Sequence, residues 1–218
     1  MNIDGLTPAD IATLIADHLP DFGDAPGRRI VAVAGPPASG KTTVAEDLVA
    51  ELARRGHAAG LLTMDGFHLD NAILDDKGLR PRKGAPETFD LAGFASLVAR
   101  VKAGHHVFVP AFDRALDKSI NAAREMDVDV KLVVAEGNYL LLDEEGWRGL
   151  HEAWDFSAFL DVAEPVLRQR LEDRWTTFGV APNDRAAKVE GNDLPNAKRV
   201  LERLDREKID LILSQTGE

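Results

Sequence analysis

Cysteine is absent from the 218 residues of this sequence. Disulfide bonds and thiolate metal sites are therefore excluded, and such a composition is typical of a reducing compartment. Long apolar runs are absent too, since none approaches the roughly 18 residues that a membrane-spanning helix needs. The N-terminal segment Met1–Pro20 lacks the basic start and apolar run of a signal peptide. These absences predict a soluble, cytoplasmic protein that has no membrane partner.

Positive charge is scarce as well, because 26 Lys and Arg residues stand against 37 Asp and Glu residues, a formal net charge of -11. The electrostatic field of a negatively charged protein repels polynucleotides, so no nucleic-acid partner is expected. A nucleotide is also an anion, and any site for its phosphates must be built locally, from backbone N–H groups and a few cations. Hydrophobic residues make up 44% of the chain, which is ample for the core of a single domain.

Short apolar runs alternate with helical patterns along the chain, which predicts an α/β fold with a mainly parallel sheet and helices on both faces. No internal repeat interrupts this pattern. Strands are predicted at Ile30–Ala34, Leu61–Met64, Val107–Val109 (closed by Pro110), Lys131–Ala135, Phe156–Asp161 and Ile209–Leu213, and helices at about 7–19, 41–55, 91–103, 164–175 and 194–207.

One segment matches the phosphate-loop pattern G-x-x-x-x-G-K-[ST] at every fixed position, between a buried strand and an amphipathic helix. Gly35 and Gly40 are predicted to adopt positive φ, so that successive N–H groups converge on phosphate oxygens. Lys41 is predicted to reach the β- and γ-phosphates, and the Thr42 hydroxyl to ligate Mg²⁺. The expected nucleotide-binding residues are Gly35, Pro36, Pro37, Ala38, Ser39, Gly40, Lys41, Thr42 and Thr43.

Two carboxylates follow predicted strands, at the sheet edge where ligands of parallel α/β sheets lie. Asp65 comes directly after Leu61–Met64, and Glu136 directly after Lys131–Ala135; each is followed by glycine, which is expected to let the chain turn away. Asp65 is interpreted as the base or orienting group for an attacking hydroxyl, and Glu136 as the acid that holds Mg²⁺. The sequence leaves an exchange of these two roles open.

Further polar residues are candidates for contacts with the substrates. Arg170 and Arg174 share a face of a predicted helix, where they would neutralise charge on a transferring phosphoryl group or simply be solvated beside Glu172 and Asp173. The acceptor-side candidates are His68, Arg82, Arg114, Asn138 and Tyr139. Three of them have a structural alternative: a packed histidine for His68, a mobile surface charge for Arg82 and a core position for Tyr139.

Three segments accompany the phosphate loop in a characteristic order: Met64-Asp65-Gly66-Phe67-His68, then 83–90 (KGAPETFD), then 134–139 (VAEGNY). This succession resembles the P-loop small-molecule kinases that group uridine kinase, phosphoribulokinase and bacterial pantothenate kinase. Within that group it is most similar to sugar kinases described as fructose transport system kinases. The resemblance covers about residues 28–213.

The resemblance implies a three-layer P-loop NTPase sandwich with a small arginine-containing lid at about 168–195, where Arg168 joins Arg170 and Arg174. It also implies Asp65 as the base, Glu136 as a metal-associated acid, and transfer of phosphate from MgATP to a hydroxyl of a small molecule, a sugar such as fructose. A pantothenate- or nucleoside-kinase-like enzyme and a regulatory NTPase remain alternatives. ATP is preferred over GTP because no guanine-recognition motif is present. Related kinases often form dimers, so a homodimer is admitted, and the sequence leaves the assembly open.

Overall fold

The computed structural model describes residues 1–22 and 27–217, and its centre is a five-stranded parallel sheet. The strand order is β2-β5-β1-β6-β7, and a separate antiparallel hairpin consists of β3 and β4. The strands are β1 Arg29–Ala34, β2 Ala59–Thr63, β3 Val107–Asp113, β4 Lys118–Met126, β5 Leu132–Gly137, β6 Phe156–Val162 and β7 Leu211–Gln215. The α-helices are α1 Pro8–His18, α2 Lys41–Arg54, α3 Asn71–Asp76, α4 Leu91–Lys102, α5 Glu164–Thr177, α6 Pro182–Lys188 and α7 Leu194–Glu202.

The sheet is buried on both faces, as its continuous apolar strands predict. In β1 the side chains alternate between two hydrophobic clusters. Ile30 and Ala32 pack with α4 in one cluster, whereas Val31 and Val33 pack with α1 and α2 in the other. This alternation follows from the two-residue period of a strand. The fold is therefore the α/β P-loop NTPase sandwich, with helices on both sides of the sheet.

The order of the strands places the ends of β2, β5 and β1 side by side. Thr63 at the end of β2 pairs with Glu136 of β5, and Glu136 pairs on its other side with Val33 of β1. Strands that run in parallel point their carboxyl ends to one edge, and the phosphate loop leaves β1 at that edge. Glu136 lies inside β5 rather than after it, because the strand extends to Gly137.

The prediction that Val107–Val109 belongs to the parallel sheet is wrong. These residues begin β3, which continues past Pro110 to Asp113 and pairs with β4 in the hairpin. Pro110 is tolerated because the register shifts between Val109 and Ala111, a bulge at which a ladder N–H is not needed. The sequence does not predict the partner strand β4. Its residues are largely exposed and polar, and Ala122 has φ 51°, so they show no strand pattern.

Other boundaries differ by a few residues. The last strand begins at Leu211 rather than Ile209, and α7 ends at Glu202 rather than 207. Between α6 and α7 the chain forms a single π-helical turn at Val189–Asp193, so α5, α6 and this turn form the region predicted as a lid. No helix in the described part of the chain is long and apolar enough to cross a bilayer.

Candidate active site

The phosphate loop connects β1 to α2, and its backbone takes two left-handed conformations. Gly40 has φ 90° and Ala38 has φ 64°, the latter a conformation that non-glycine residues rarely adopt. The prediction of positive φ at Gly35 is wrong. Glycine is required there by close packing, because a Cβ atom would lie 2.7 Å from Ser39 Oγ and 3.0 Å from the Leu160 carbonyl oxygen.

Lys41 occupies the first turn of α2 and is almost wholly buried. Its ammonium lies 3.5 Å from the Pro36 carbonyl oxygen. Burial lowers the pKa of Lys41 from its ordinary value, and the carboxylates of Glu136 and Asp65 oppose that shift. Ser39 Oγ is buried and has no hydrogen-bond partner among the described residues. Lys41 thus gives the cleft a cation that an anionic ligand could meet.

Glu136 is a carboxylate in the interior, with only 2% of its surface exposed. The Thr42 hydroxyl donates to its Oε2 over 3.2 Å. Desolvation raises the pKa of Glu136 from 4.5 to about 7; the charge of Asp65 adds to this rise, while Lys41 and the Thr42 hydroxyl oppose it. A carboxylate and a hydroxyl held this close form a pair of hard oxygen donors, the type that Mg²⁺ prefers.

Asp65 lies in a 3-10 turn, Met64–Phe67, that follows β2 directly. The glycine after it, Gly66, allows close packing against the hairpin. A Cβ atom at Gly66 would lie 2.6 Å from the Pro110 carbonyl oxygen of β3. The hairpin therefore sits directly against Asp65, and Arg114 from its turn approaches the Asp65 carboxylate to 3.6 Å.

These groups share one cleft of about 430 Å³. The predicted residues that line it are Pro37, Ala38, Gly40, Lys41, Thr42, Thr43, Asp65, Arg114, Glu136, Asn138 and Arg174. Asn138 Oδ1 is buried and makes no hydrogen bond within the described ranges. The cleft also contains four residues that the sequence did not single out, namely Glu46, Thr63, Phe112 and Arg124. Phe112 and Arg124 belong to the hairpin, which the sequence patterns did not predict.

Four predicted site residues, Arg170, Arg82, Tyr139 and His68, are not among those that line the cleft. The Arg170 guanidinium donates to the carbonyls of Ala38 and Ser39 and to Gln215. Arg82 pairs with Glu87, and the buried Tyr139 hydroxyl donates to the Gly84 carbonyl. His68 lies between the rings of Phe89 and Phe112, with centroids 4.1 and 4.5 Å away, and its Nδ1 is 2.8 Å from the Asp65 carbonyl oxygen. His68 and Arg170 thus support neighbours of the cleft rather than line it.

Arg174 is the cleft residue that α5 contributes. Its pKa is lowered by burial and by Arg114, while Asp193 opposes this shift. Asp193 also accepts a hydrogen bond from Trp175 Nε1 over 2.7 Å, and Lys188 lies 4.5 Å from the centre of the Trp175 ring. These contacts connect α6 and the π-helical turn to the arginine. Arg168, by contrast, pairs with Glu164 and Glu190 outside the cleft.

The donor set fits a metal that is held largely by its nucleotide. No cluster of three or more His, Asp or Glu side chains that could cage an ion occurs in residues 1–22 or 27–217. Mg²⁺ commonly takes one or two protein oxygens and completes its shell with phosphates and water. Thr42 and Glu136 would supply those protein oxygens.

Comparisons with known proteins agree with this geometry. Residues 30–176 match the family described as "Phosphoribulokinase / Uridine kinase family". A crystal structure of a proposed fructose transport system kinase from Silicibacter sp. TM1040 is 42% identical, with a TM-score of 0.86 over 95% of this chain and 99% of that one.

Two curated relatives extend the comparison. The uncharacterised Escherichia coli (strain K12) protein YggC is 36% identical over 88% of this chain and 79% of its own length. A pantothenate kinase from Bradyrhizobium sp. (strain ORS 278) is 34% identical over 68% of this chain and 50% of its own length. With the phosphate loop and the two strand-end carboxylates in one cleft, the chain belongs to the phosphoribulokinase/uridine kinase family, P-loop phosphotransferases that act on hydroxyl acceptors.

Proposed function

We propose that this chain is an ATP- and Mg²⁺-dependent kinase that phosphorylates a hydroxyl group of a small polar acceptor, with a sugar as the first candidate class. The observation that carries the proposal is that Lys41, in the first turn of α2, meets Asp65 and Glu136, at the ends of the adjacent strands β2 and β5, in one cleft. A sugar is favoured by the 42% identity to the proposed fructose transport system kinase. Pantothenate comes second, because that relative aligns over only half of its own length.

In the proposed mechanism, backbone N–H groups of the phosphate loop and the Lys41 ammonium bind the β- and γ-phosphates. When bound, Mg²⁺ would supply positive charge that offsets the negative charge developing during transfer. Thr42 and Glu136, which share a hydrogen bond in the cleft, would hold it. Arg174 lies where it would counter negative charge on the moving phosphoryl group.

Asp65 completes the reaction on the acceptor side. Its carboxylate orients the acceptor hydroxyl and takes its proton as the oxygen bonds to the γ-phosphorus and the bond from that phosphorus to the bridging oxygen of ADP breaks. Asn138, whose buried Oδ1 has no partner within the described ranges, would accept a hydrogen bond from the acceptor. Closure of the lid would exclude water, which favours transfer over hydrolysis.

The variant Asp65→Asn tests this assignment. It keeps the side-chain volume and leaves the phosphate loop unchanged, so ATP affinity by calorimetry should stay within about twofold while kcat falls by about 10²-fold or more. Asp76→Asn is the matched control, since Asp76 is an exposed residue of α3 outside the cleft. ATP consumption is measured across sugars, pantothenate and nucleosides, with fructose included. Unchanged turnover in Asp65→Asn would contradict the role of Asp65.

A further inference from the structure

One continuous helix spans residues 182–202, and the π-helical turn at Val189–Asp193 lies in its middle. Its first part, α6, has no buried residue. Its last part, α7, is packed into the domain through four buried residues, Leu194, Asn196, Ala197 and Val200. A π-helical turn inside an α-helix is rare and often occurs at a functional position. Here it separates a loosely packed half of the helix from a firmly packed half.

The π-helical turn contacts two different parts of the molecule through two consecutive side chains. Asp193 accepts a hydrogen bond from Trp175 Nε1 over 2.7 Å. Trp175 directly follows Arg174, the cleft residue that serves the nucleotide in the proposed mechanism. Asn192 instead donates from its Nδ2 to the Lys83 carbonyl oxygen over 2.9 Å. The turn therefore joins the helix that carries Arg174 to the segment that contains Lys83.

Both ends of the Asn192 amide are used. While its Nδ2 donates to Lys83, its Oδ1 accepts a hydrogen bond over 3.1 Å from Asn196, which is buried in α7. Within residues 1–22 and 27–217, no other hydrogen bond or ion pair connects residues 164–193 to residues 83–90. Asn192 is thus a fixed contact between the region predicted as a lid and this segment.

Lys83 in turn holds the wall of the cleft that the hairpin forms. Its ammonium donates to Asn71 Oδ1 and Asp117 Oδ1, each over 2.7 Å, and to the Asp117 carbonyl oxygen over 2.8 Å. Asp117 lies in the hairpin turn with φ 52°, a conformation that a non-glycine residue keeps only when its surroundings fix it. The same ammonium lies 5.0 Å from the ring centre of Phe112, which lines the cleft.

We propose that Asn192 is a positioning residue that couples the nucleotide side of the cleft to its acceptor wall. A nucleotide that restrains Arg174 restrains the adjacent Trp175, and the π-helical turn passes this restraint through Asn192 to Lys83 and the hairpin turn. Ordering that one ligand has already produced lowers the cost of binding a second, which gives positive coupling between the two ligands. The inference rests on the nucleotide binding of the proposed function. It adds that the acceptor side is completed only in the nucleotide complex.

Amide hydrogen exchange of the whole chain, with and without Mg²⁺ and a non-hydrolysable ATP analogue, tests the proposal. The analogue should slow exchange in residues 83–90 by about tenfold. Gly84 is a sensitive probe, because its N–H donates to Thr88 Oγ1 within that segment. The hairpin turn, residues 114–117, should be slowed as well. An analogue that protects the start of α2 but leaves residues 83–90 unchanged would overturn the proposal.

The variant Asn192→Asp then assigns the effect. It keeps the side-chain shape and the acceptor for Asn196, but it places an oxygen against the Lys83 carbonyl in place of the donor. The analogue should now slow exchange in residues 83–90 by no more than about twofold, while its affinity by calorimetry and its protection of α6 remain. Asn183→Asp is the matched control, since it adds the same charge at an exposed position of α6, and it should keep the full effect on residues 83–90.

A purely structural role for Asn192 gives a different result. Residues 83–90 would then exchange faster in Asn192→Asp without the analogue, and the analogue would still slow them by about tenfold, which would overturn the proposal. Trp175→Phe interrupts the same path at its other end, because it keeps an aromatic ring and loses the donor to Asp193. It should abolish the protection of residues 83–90 although the contact between Asn192 and Lys83 is intact. Protection that survives in this variant would also overturn the proposal.

Activity measurements separate this inference from the kinase proposal. Coupling in the native chain together with transfer to none of the sugars, nucleosides or pantothenate would support the inference and contradict the kinase function. Phosphate transfer by a chain whose residues 83–90 are insensitive to the analogue would do the reverse. Failure of the analogue to bind at all would contradict both.

Discussion

At the scale of single residues, Glu136 shows how the site departs from what folding alone would favour. A carboxylate with 2% exposure, beside Asp65 and with one hydroxyl donor, is costly to keep ionised. Lys41 bears the same desolvation cost, and because it is a cation, burial lowers its pKa instead of raising it. Buried ionisable groups with displaced pKa values, gathered in one cleft, are typical of functional sites. Their retention is best understood as a requirement of ligand binding.

The raised pKa of Glu136 predicts how stability depends on pH in the protein without metal or nucleotide. Between 4.5 and about 7 the folded state keeps a proton that the unfolded chain has lost, so the free energy of unfolding falls as pH rises. Glu136→Gln removes this titration. The free energy of unfolding of the variant minus that of the native chain should therefore increase by about 3 kcal/mol as the pH rises from about 4.5 to about 7.

Urea unfolding in EDTA, at several pH values from about 5 to about 8, measures this difference. Comparing two proteins at each pH cancels the contributions of other groups, including His68, whose pKa burial lowers and whose contribution therefore has the opposite sign. A difference between the two proteins that does not change with pH would contradict the assignment. The kinase activity of Glu136→Gln should be lost at every pH. The effect of the substitution on stability therefore depends on pH, whereas its effect on activity does not.

Residue-level features differ in how far the sequence could predict them. The phosphate loop is contiguous, so Lys41 and Thr42 were placed by their motif alone. Asp65 and Glu136 were found because parallel strands bring their ends together. Arg124 could not be found in this way, because nothing local distinguishes an exposed arginine that lines the cleft from one elsewhere on the surface.

At the scale of elements, the hairpin is the part of the site that depends most on tertiary contacts. Its base is held by the buried guanidinium of Arg28, which donates to the carbonyls of His105, Asp127 and Val130 over 2.6 to 3.0 Å. Its turn is held by Lys83, whose ammonium lies 2.7 Å from Asp117 Oδ1. The apolar strands of the sheet were predictable, whereas β4 was not, because these anchors, and not a hydrophobic pattern, hold it in place.

The contact between Gly66 and β3 gives a prediction for Gly66→Ala. The added Cβ would meet the Pro110 carbonyl oxygen at 2.6 Å, and backbone atoms cannot move aside as a flexible side chain can. Stability should fall by about 1–3 kcal/mol, the usual cost of overpacking, and the KM for the acceptor should rise because the hairpin shifts from Asp65. Urea unfolding and steady-state kinetics measure the two effects.

Gly149→Ala is the matched control for this substitution. No atom lies within 4 Å of a Cβ built at Gly149, and its φ is outside the left-handed region. Its stability should change by no more than about 0.5 kcal/mol. Equal stabilities of the two variants would show that β3 yields without cost and would contradict the role of this contact in placing the hairpin.

At the scale of the whole molecule, three regions of different character line the cleft. The sheet edge and the phosphate loop form its floor, the hairpin forms one wall, and α5 contributes Arg174. Behind α5 lies α6, which has no buried residue. Segments with few buried contacts have a low local stability and are the ones that move when a ligand binds.

The contacts of Trp175 predict that nucleotide binding stabilises α6. Arg174 lines the cleft, and the adjacent Trp175 connects it to Asp193 and Lys188, at the ends of the π-helical turn and of α6. A nucleotide that engages Arg174 should therefore slow amide hydrogen exchange in Pro182–Lys188 by about tenfold or more. In α1, where Ile11, Ala12, Ile15 and Ala16 are buried and no residue lines the cleft, exchange should not change. The comparison is made with and without a non-hydrolysable MgATP analogue. If the analogue protects the start of α2 but leaves exchange in α6 equally fast, the nucleotide binds without engaging a lid.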